Sequence, residues 1–175
     1  MKNNVALIGF MGTGKTAVGR TLAERLNREF VEMDSLIDQK AGKSIPEIFA
    51  QDGEIAFREL EIEITKEISG RKNLVIACGG GVVLNKINID RLRQEGVIVY
   101  LNASPEVILK RVASEEVQRP LLEVYDPILT IREMLKFRKP FYDRAADIRI
   151  DTSKLDIDAV AKQIIRKLAE YEGFH

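Results

Sequence analysis

The sequence is poor in cysteine and histidine. Cys78 is the single cysteine, so no disulfide can form within the chain, and a reducing compartment is expected. The single histidine is the last residue, His175, which we expect to be a frayed tail. Acid–base chemistry by histidine is therefore not expected.

Excess charge and long apolar runs are also absent. Lys and Arg number 27, as do Asp and Glu, and this balance argues against nucleic acid as the main partner. No run approaches the roughly 18 apolar residues of a membrane span, and the first residues lack the apolar core of a signal peptide. We expect a soluble cytoplasmic protein with no membrane partner.

Hydrophobic residues make up 45% of the chain, and five β-rich runs alternate with helical patterns. Three of these runs are continuously apolar, as is typical of parallel strands buried on both faces. The sequence therefore predicts one α/β domain over residues 1–175, with three α/β/α layers around a five-stranded parallel sheet. The predicted strands are Val5–Gly9, Glu29–Glu32, Leu74–Cys78, Val97–Leu101 and Asp147–Asp151.

Helix signals lie between the predicted strands. Apolar spacing predicts helices over Lys15–Leu26, Glu54–Ser69 and Asp158–Tyr171. Ser44 and Glu47 form a capping-box pattern, and Ser104 followed by proline opens a further helix. Residues 113–126 have no clear period, and we interpret them as a mobile lid.

Residues 9–16, GFMGTGKT, fit the phosphate-binding P-loop pattern G-x-x-x-x-G-K-[ST]. Glycines let consecutive backbone N–H groups surround phosphate oxygens at a helix N-terminus. Lys15 can reach the β- and γ-phosphates, and the Thr16 hydroxyl can bind Mg²⁺. The alternative is a glycine-rich turn with an incidental lysine, but a buried strand before the loop and an amphipathic helix after it favour the P-loop.

The other motifs favour a small-molecule kinase among the P-loop proteins. A GTPase would need Asn-Lys-x-Asp, and the nearest match, residues 85–88, ends in Asn88 and comes too early in the chain. The chain is too short for a motor. A compact kinase needs a second site opposite the P-loop that binds an anion or a hydroxyl group. It also needs arginines on a mobile cover.

Three further features supply such parts. Glu32 and Asp34 are expected to point the same way by strand parity, although Asp34 could instead cap the next helix. The glycines at 79–81 would let a ligand touch the backbone, although a tight turn explains one or two of them. Arg58, Arg119 and Arg138 could bind carboxylates bidentately, although a single arginine is usually a solvated surface residue.

Together these segments resemble the shikimate kinase family over nearly the whole chain. The matches are GFMGTGKTAVGR, the acid pair before LID, DGEIAFRELE, the triple glycine, QRPLL and KFRKPFYDRAA. The resemblance implies phosphorylation of the 3-hydroxyl of shikimate by ATP with Mg²⁺, on the route to chorismate and the aromatic amino acids. It also implies that the partners are small molecules, that the chain is a monomer, and that residues 33–60 form a substrate-binding region.

The resemblance implies roles for particular residues. The catalytic residues would be Asp34, Lys15 and Arg119. ATP would be bound by Gly12, Thr13, Gly14, Lys15, Thr16, Ala17, Arg111 and Arg119. Shikimate would be bound by Asp34, Arg58, Gly79, Gly80, Gly81 and Arg138, with Glu61 orienting Arg58. The metal would be bound by Thr16 and Glu32.

Two positions depart from the family pattern. Glu32 replaces the usual aspartate, so its carboxylate reaches about one methylene further. Cys78 precedes the glycines, where we interpret it as a small buried hydrophobe rather than a nucleophile. Two other functions stay open: a kinase for another small acid such as gluconate, and a non-catalytic ligand-binding domain.

Overall fold

A single parallel sheet organises the computed structural model, which describes residues 1–114 and 124–175. Its strand order is β2-β3-β1-β4-β5. The strands are β1 (Asn4–Ile8), β2 (Glu29–Glu32), β3 (Leu74–Ala77), β4 (Gly96–Asn102) and β5 (Ile148–Asp151). Every predicted strand is confirmed to within one residue at each end. The three continuously apolar runs are the central strands β3, β1 and β4, which are covered on both faces.

Helices cover both faces of this sheet. They are α1 (Lys15–Leu26), α2 (Met33–Ala41), α3 (Ile45–Gln51), α4 (Gly53–Ser69), α5 (Lys86–Glu95), α6 (Pro105–Ala113), α7 (Pro127–Ala145) and α8 (Ile157–Ala169), with a 3₁₀ turn over Val82–Leu84. In β1, Ala6 and Ile8 face a core shared with α2, α4, α5 and α7, whereas Val5 and Leu7 face α1 and α8. The predicted three-layer α/β/α architecture is confirmed.

Local signals explain several helix boundaries. Ser44 and Glu47 form the predicted capping box, in which each side chain bonds the other residue's backbone N–H. The Ser104 side chain accepts from the backbone N–H of Val107, and Pro105 occupies the first turn of α6. The sequence patterns predict neither α5 nor α7. Pro140 inside α7 is a helix-breaking signal that the surrounding packing overrides.

The C-terminal residues are fixed against the N-terminal strand, so the prediction of a frayed His175 is wrong. The His175 backbone N–H donates to the Lys2 carbonyl at 3.1 Å. Arg28 Nη2 donates to the His175 carbonyl at 2.6 Å, and the Arg28 guanidinium lies over the Phe174 ring. His175 nevertheless lies at the amino ends of the strands, which is the sheet edge opposite the P-loop.

The predicted lid, residues 113–126, lies largely outside the described residues. Residues 113, 114 and 124–126 belong to the described part, and the lid arginine, Arg119, does not. Within residues 1–114 and 124–175, no helix combines the length and the apolar character needed to cross a membrane.

Candidate active site

The P-loop joins β1 to α1 in a conformation that depends on glycine. Gly9, Gly12 and Gly14 have φ values of 151°, 74° and 97°, a region that side-chain-bearing residues rarely occupy. A Cβ on Gly9 would also lie 2.3 Å from the Leu101 carbonyl oxygen, which no side chain could tolerate. The loop therefore brings its backbone N–H groups to the N-terminus of α1, where anions are favoured.

The two polar side chains that begin α1 face the loop and β2. Lys15 Nζ donates to the carbonyls of Gly9, at 2.7 Å, and Phe10, at 2.9 Å. Thr16 Oγ1 donates to Glu32 Oε1 at 2.7 Å. The Lys15 ammonium thus lies across the loop. The Thr16 hydroxyl and the Glu32 carboxylate lie side by side where α1 begins.

Glu32 and Asp34 both lie in the site, but the local structure that places them there differs from the prediction. The parity prediction is wrong because β2 ends at Glu32 and α2 begins at Met33. Both acids still line one cleft. Asp34 is not the helix cap, because Glu32 occupies the N-cap position and Asp34 lies within the first turn. The alternative interpretation of Asp34 is therefore wrong as well, and the helix N-terminus favours its negative charge.

Arg58, on α4, is held between two acids and a glycine. Its Nη1 donates to Glu61 Oε1 at 3.0 Å, and its Nη2 donates to Glu54 Oε1 at 3.4 Å. A Cβ on Gly81 would lie 2.4 Å from Arg58 Nη1. Because the Gly81 backbone, at φ −97°, suits any residue, the close approach of the guanidinium is what requires glycine there.

Glu61 is the most deeply buried acid of the site, with 0% of its surface exposed. Burial raises the pKa of its carboxyl above the ordinary value, the Arg58 charge opposes this rise, and the Asp34 charge adds to it. Glu61 Oε2 accepts no hydrogen bond from the described residues and lies 3.2 Å from the position of a Cβ on Gly79. The hydrogen bond between Glu61 and Arg58 is consistent with the predicted role of Glu61 in orienting Arg58.

Arg138 approaches the same glycines from α7. Its Nη1 lies 3.4 Å from the position of a Cβ on Gly80, and its Cζ lies 5.5 Å from the centroid of the Phe10 ring. One turn later, Tyr142 Oη donates to the Gly80 carbonyl at 2.5 Å. Burial raises the pKa of Tyr142 to about 12, so the phenol stays protonated and remains a donor. Tyr142 was not predicted as a site residue, because its hydrogen-bond partner lies 62 residues away in the chain.

These groups surround one cleft of about 540 Å³ at the carboxyl ends of the strands. The predicted residues that line it are Gly12, Gly14, Lys15, Thr16, Ala17, Glu32, Asp34, Arg58, Gly79, Gly80, Gly81 and Arg138. Lining residues that the sequence analysis did not select include Met11, Arg20, Ile45 and Phe57. Ile45 and Phe57 give the polar cleft an apolar wall, which a hydrocarbon ring can contact.

Two predicted ATP-binding side chains lie behind the cleft rather than in it. Thr13 is 1% exposed, and its hydroxyl donates to the Phe10 carbonyl at 2.7 Å. Arg111 Nη1 donates to the Gly12 carbonyl at 3.2 Å, and its Nη2 donates to the Thr152 carbonyl at 2.7 Å. Both side chains brace the P-loop. Contact of Arg111 with ATP stays a prediction.

The donor set beside the P-loop suits a magnesium ion. Within the described ranges, no group of three or more His, Cys, Asp or Glu side chains is placed to hold a metal. Mg²⁺ needs no such group, because it takes one or two protein oxygens and completes its octahedron with water and phosphate. The adjacent Thr16 hydroxyl and Glu32 carboxylate supply oxygens of this kind.

Comparisons with known proteins match this chain to shikimate kinases over nearly its whole length. A family model described as shikimate kinase matches residues 11–169. The shikimate kinase of Caldanaerobacter subterraneus is 49% identical over 170 residues, which are 97% of this chain and 98% of that protein. That of Pelotomaculum thermopropionicum is 46% identical over 168 residues, which are 96% of each chain.

Solved structures give the same result. The shikimate kinase from Acinetobacter baumannii, in complex with shikimate, superposes with a TM-score of 0.92 at 39% identity, covering 99% of this chain and 96% of that one. A gluconokinase from Sinorhizobium meliloti superposes with a TM-score of 0.62 at 16% identity, covering 96% of this chain and 92% of that one. At that identity the second likeness shows the shared fold alone.

Proposed function

The chain belongs to the shikimate kinase family, and we propose that its cleft transfers the γ-phosphoryl group of ATP to the 3-hydroxyl of shikimate. The product is shikimate 3-phosphate, an intermediate on the route to chorismate and the aromatic amino acids. The observation that carries the proposal is the presence of a phosphate loop and two arginines, Arg58 and Arg138, in one cleft.

The nucleotide occupies the P-loop side of the cleft. Backbone N–H groups of residues 12–17 surround the β-phosphate, and Lys15 exchanges its carbonyl partners for phosphate oxygens. Arg111 and Arg119 complete the ATP site. Thr16 and Glu32 would hold Mg²⁺, which would offset the negative charge of the ATP phosphates. The Thr16–Glu32 hydrogen bond keeps both groups at that position.

Shikimate occupies the opposite side. Its carboxylate is gripped by the guanidiniums of Arg58 and Arg138, which both approach the glycines at 79–81. The buried Glu61 fixes Arg58, and the backbone of those glycines contacts the hydroxyl-bearing ring. Because the two arginines come from different helices, α4 and α7, they hold the acid at a fixed distance from the P-loop.

Asp34 is the group that accepts the proton of the 3-hydroxyl. It lies in the cleft between the P-loop and the glycine segment, with Oδ1 3.1 Å from the position of a Cβ on Gly79. Phosphoryl transfer depends mainly on positioning and charge neutralisation, so the carboxylate orients the nucleophile as well as taking its proton. Lys15 and Arg119 share the charge that develops on the transferred group.

The remaining features of the enzyme follow from this assignment. Residues 1–175 act as one domain, and residues 33–60, which supply Asp34, Ile45, Phe57 and Arg58 to the cleft, form its substrate-binding region. Residues 113–126 act as the lid that excludes water, a competing phosphoryl acceptor. The enzyme works as a monomer, since one chain supplies both halves of the cleft. It works in the cytoplasm, a reducing compartment that suits a chain with a single cysteine.

The proposal is tested by coupled measurement of ADP release with Mg²⁺, ATP and one acceptor at a time. We expect turnover with shikimate, much slower turnover with quinate and none above background with gluconate. A preference for gluconate would instead identify a kinase for another acid. Calorimetric binding of shikimate without ADP release would identify a non-catalytic binding domain.

A further inference from the structure

A second cavity, of about 280 Å³, lies outside the cleft between the Val82–Leu84 turn, α5 and the C-terminal part of α7. Its floor is apolar and includes Val83, Ile89, Phe141 and Ala145. The volume is slightly below the roughly 300–1,000 Å³ of drug-sized sites, so it suits a compound with a single ring. We call this space the α5–α7 cavity.

The rim of the α5–α7 cavity carries more positive than negative charge. Lys86 and Asp90 pair with each other at 2.5 Å. Arg93 donates to the Ala145 carbonyl at 2.7 Å and pairs with Asp147 at 3.8 Å. Arg144 has no carboxylate partner among the described residues, and its guanidinium lies over the Phe141 ring, 5.1 Å from the centroid. The cavity thus combines an apolar floor, an aromatic wall and an available guanidinium.

We propose that the α5–α7 cavity binds a single-ring aromatic carboxylate. The ring packs on the apolar floor beside Phe141, and the carboxylate binds Arg144, because guanidinium groups match carboxylates in charge and shape. Neutral compounds would bury the same ring but would give the Arg144 guanidinium no carboxylate to bind. This binding does not depend on the activity of the cleft.

The cavity shares its walls with the substrate side of the cleft. The Val82–Leu84 turn continues directly from the glycines at 79–81. On α7, Phe141 lines the cavity, and its neighbour Tyr142 donates to the Gly80 carbonyl. A ligand that contacts Val83 and Phe141 therefore acts on both segments that position Gly80. We expect its occupancy to change the affinity for shikimate, and shikimate to change its affinity by the same factor.

The test is calorimetric titration with 3-phenylpropanoate, alone and with ADP, Mg²⁺ and shikimate at saturation. With the cleft filled, the proposal expects one site per chain, and the affinity of that site should differ when ADP, Mg²⁺ and shikimate are left out. Binding lost when the cleft is filled would place the ligand in the cleft and overturn the proposal, as would no binding at all. Because the first titration needs neither ATP nor shikimate, it also gives a result if the proposed activity is wrong.

The role of Arg144 is tested in two ways. Arg144→Gln should weaken binding about tenfold, the usual effect of losing a charge-assisted hydrogen bond, whereas the matched surface variant Arg166→Gln on α8 should bind like the parent chain. The neutral isostere 3-phenylpropanol should bind the parent chain at least tenfold more weakly than the acid. Equal binding of acid and alcohol, or undiminished binding by Arg144→Gln, would contradict the carboxylate assignment.

Discussion

Replacement of Gly81 by alanine tests the link between the glycine segment and the substrate arginine. The added Cβ would lie 2.4 Å from Arg58 Nη1 and 2.6 Å from Nη2. Ordinary contact begins near 3.4 Å, so the guanidinium must withdraw by about 1 Å. The backbone itself is unstrained, because φ at Gly81 is −97°. The substitution therefore acts on Arg58 and not on the turn.

The size of the effect follows from the bonds that Arg58 makes. A withdrawal of 1 Å breaks its 3.0 Å hydrogen bond to Glu61 and misplaces the guanidinium for a substrate carboxylate. A hydrogen bond to a charged group contributes about 1.5–3 kcal/mol, which corresponds to a rise of roughly 10- to 150-fold in KM for shikimate. KM for ATP should stay nearly constant, since the three atoms nearest to the added Cβ all belong to Arg58.

The assay is steady-state kinetics with each substrate varied in turn, together with thermal denaturation. Gly70→Ala is the matched control, because the nearest atom to its Cβ would be 3.9 Å away and its φ is −81°. The control should keep both KM values. An unchanged KM for shikimate in Gly81→Ala, or an equal rise in KM for ATP, would refute the reasoning.

Three further substitutions probe the rest of the site. Asp34→Asn should lower kcat by about 10²–10⁴-fold with little change in Tm, and near-normal turnover would remove Asp34 from the chemistry. Tyr142→Phe leaves the Gly80 carbonyl without its donor, so the free energy of unfolding should fall by about 1–3 kcal/mol in denaturant titrations; an unchanged midpoint would show that the bond contributes nothing. Folding raises the pKa of Glu61, so its contribution to stability is largest below the ordinary pKa of 4.5 and is lost as pH rises through the raised value. Relative to Glu61→Gln, the parent chain should therefore lose Tm as pH rises above 4.5, and a pH-independent difference would contradict the raised pKa.

Local patterns were sufficient to predict the sheet and the P-loop. Continuous apolar runs identify strands that are buried on both faces. In residues 9–16, the glycines stand at the positions where the loop needs positive φ values. Capping at Ser44 and Ser104 was predictable for the same reason, since the two partners lie three residues apart. Each of these features is decided within a few residues of the chain.

Features decided by distant contacts were not predictable. Tyr142 is identified only by its bond to Gly80, and the support of the P-loop by Thr152 depends on a bond to the Thr13 carbonyl 139 residues away. The parity prediction for Glu32 and Asp34 was wrong because a strand passes into a helix without a loop, and no local signal marks that boundary. Long-range packing likewise stabilises α7 despite Pro140.

The most direct test of the account measures the affinity of the cleft for shikimate. Calorimetric titration with shikimate, with ADP and Mg²⁺ at saturation, should give one site per chain. The same titration of Arg138→Ala should show affinity that is at least tenfold weaker, with nucleotide binding retained. Undiminished shikimate affinity in that variant, or no shikimate binding by the parent chain, would contradict the assignment of the arginine pair to the substrate carboxylate.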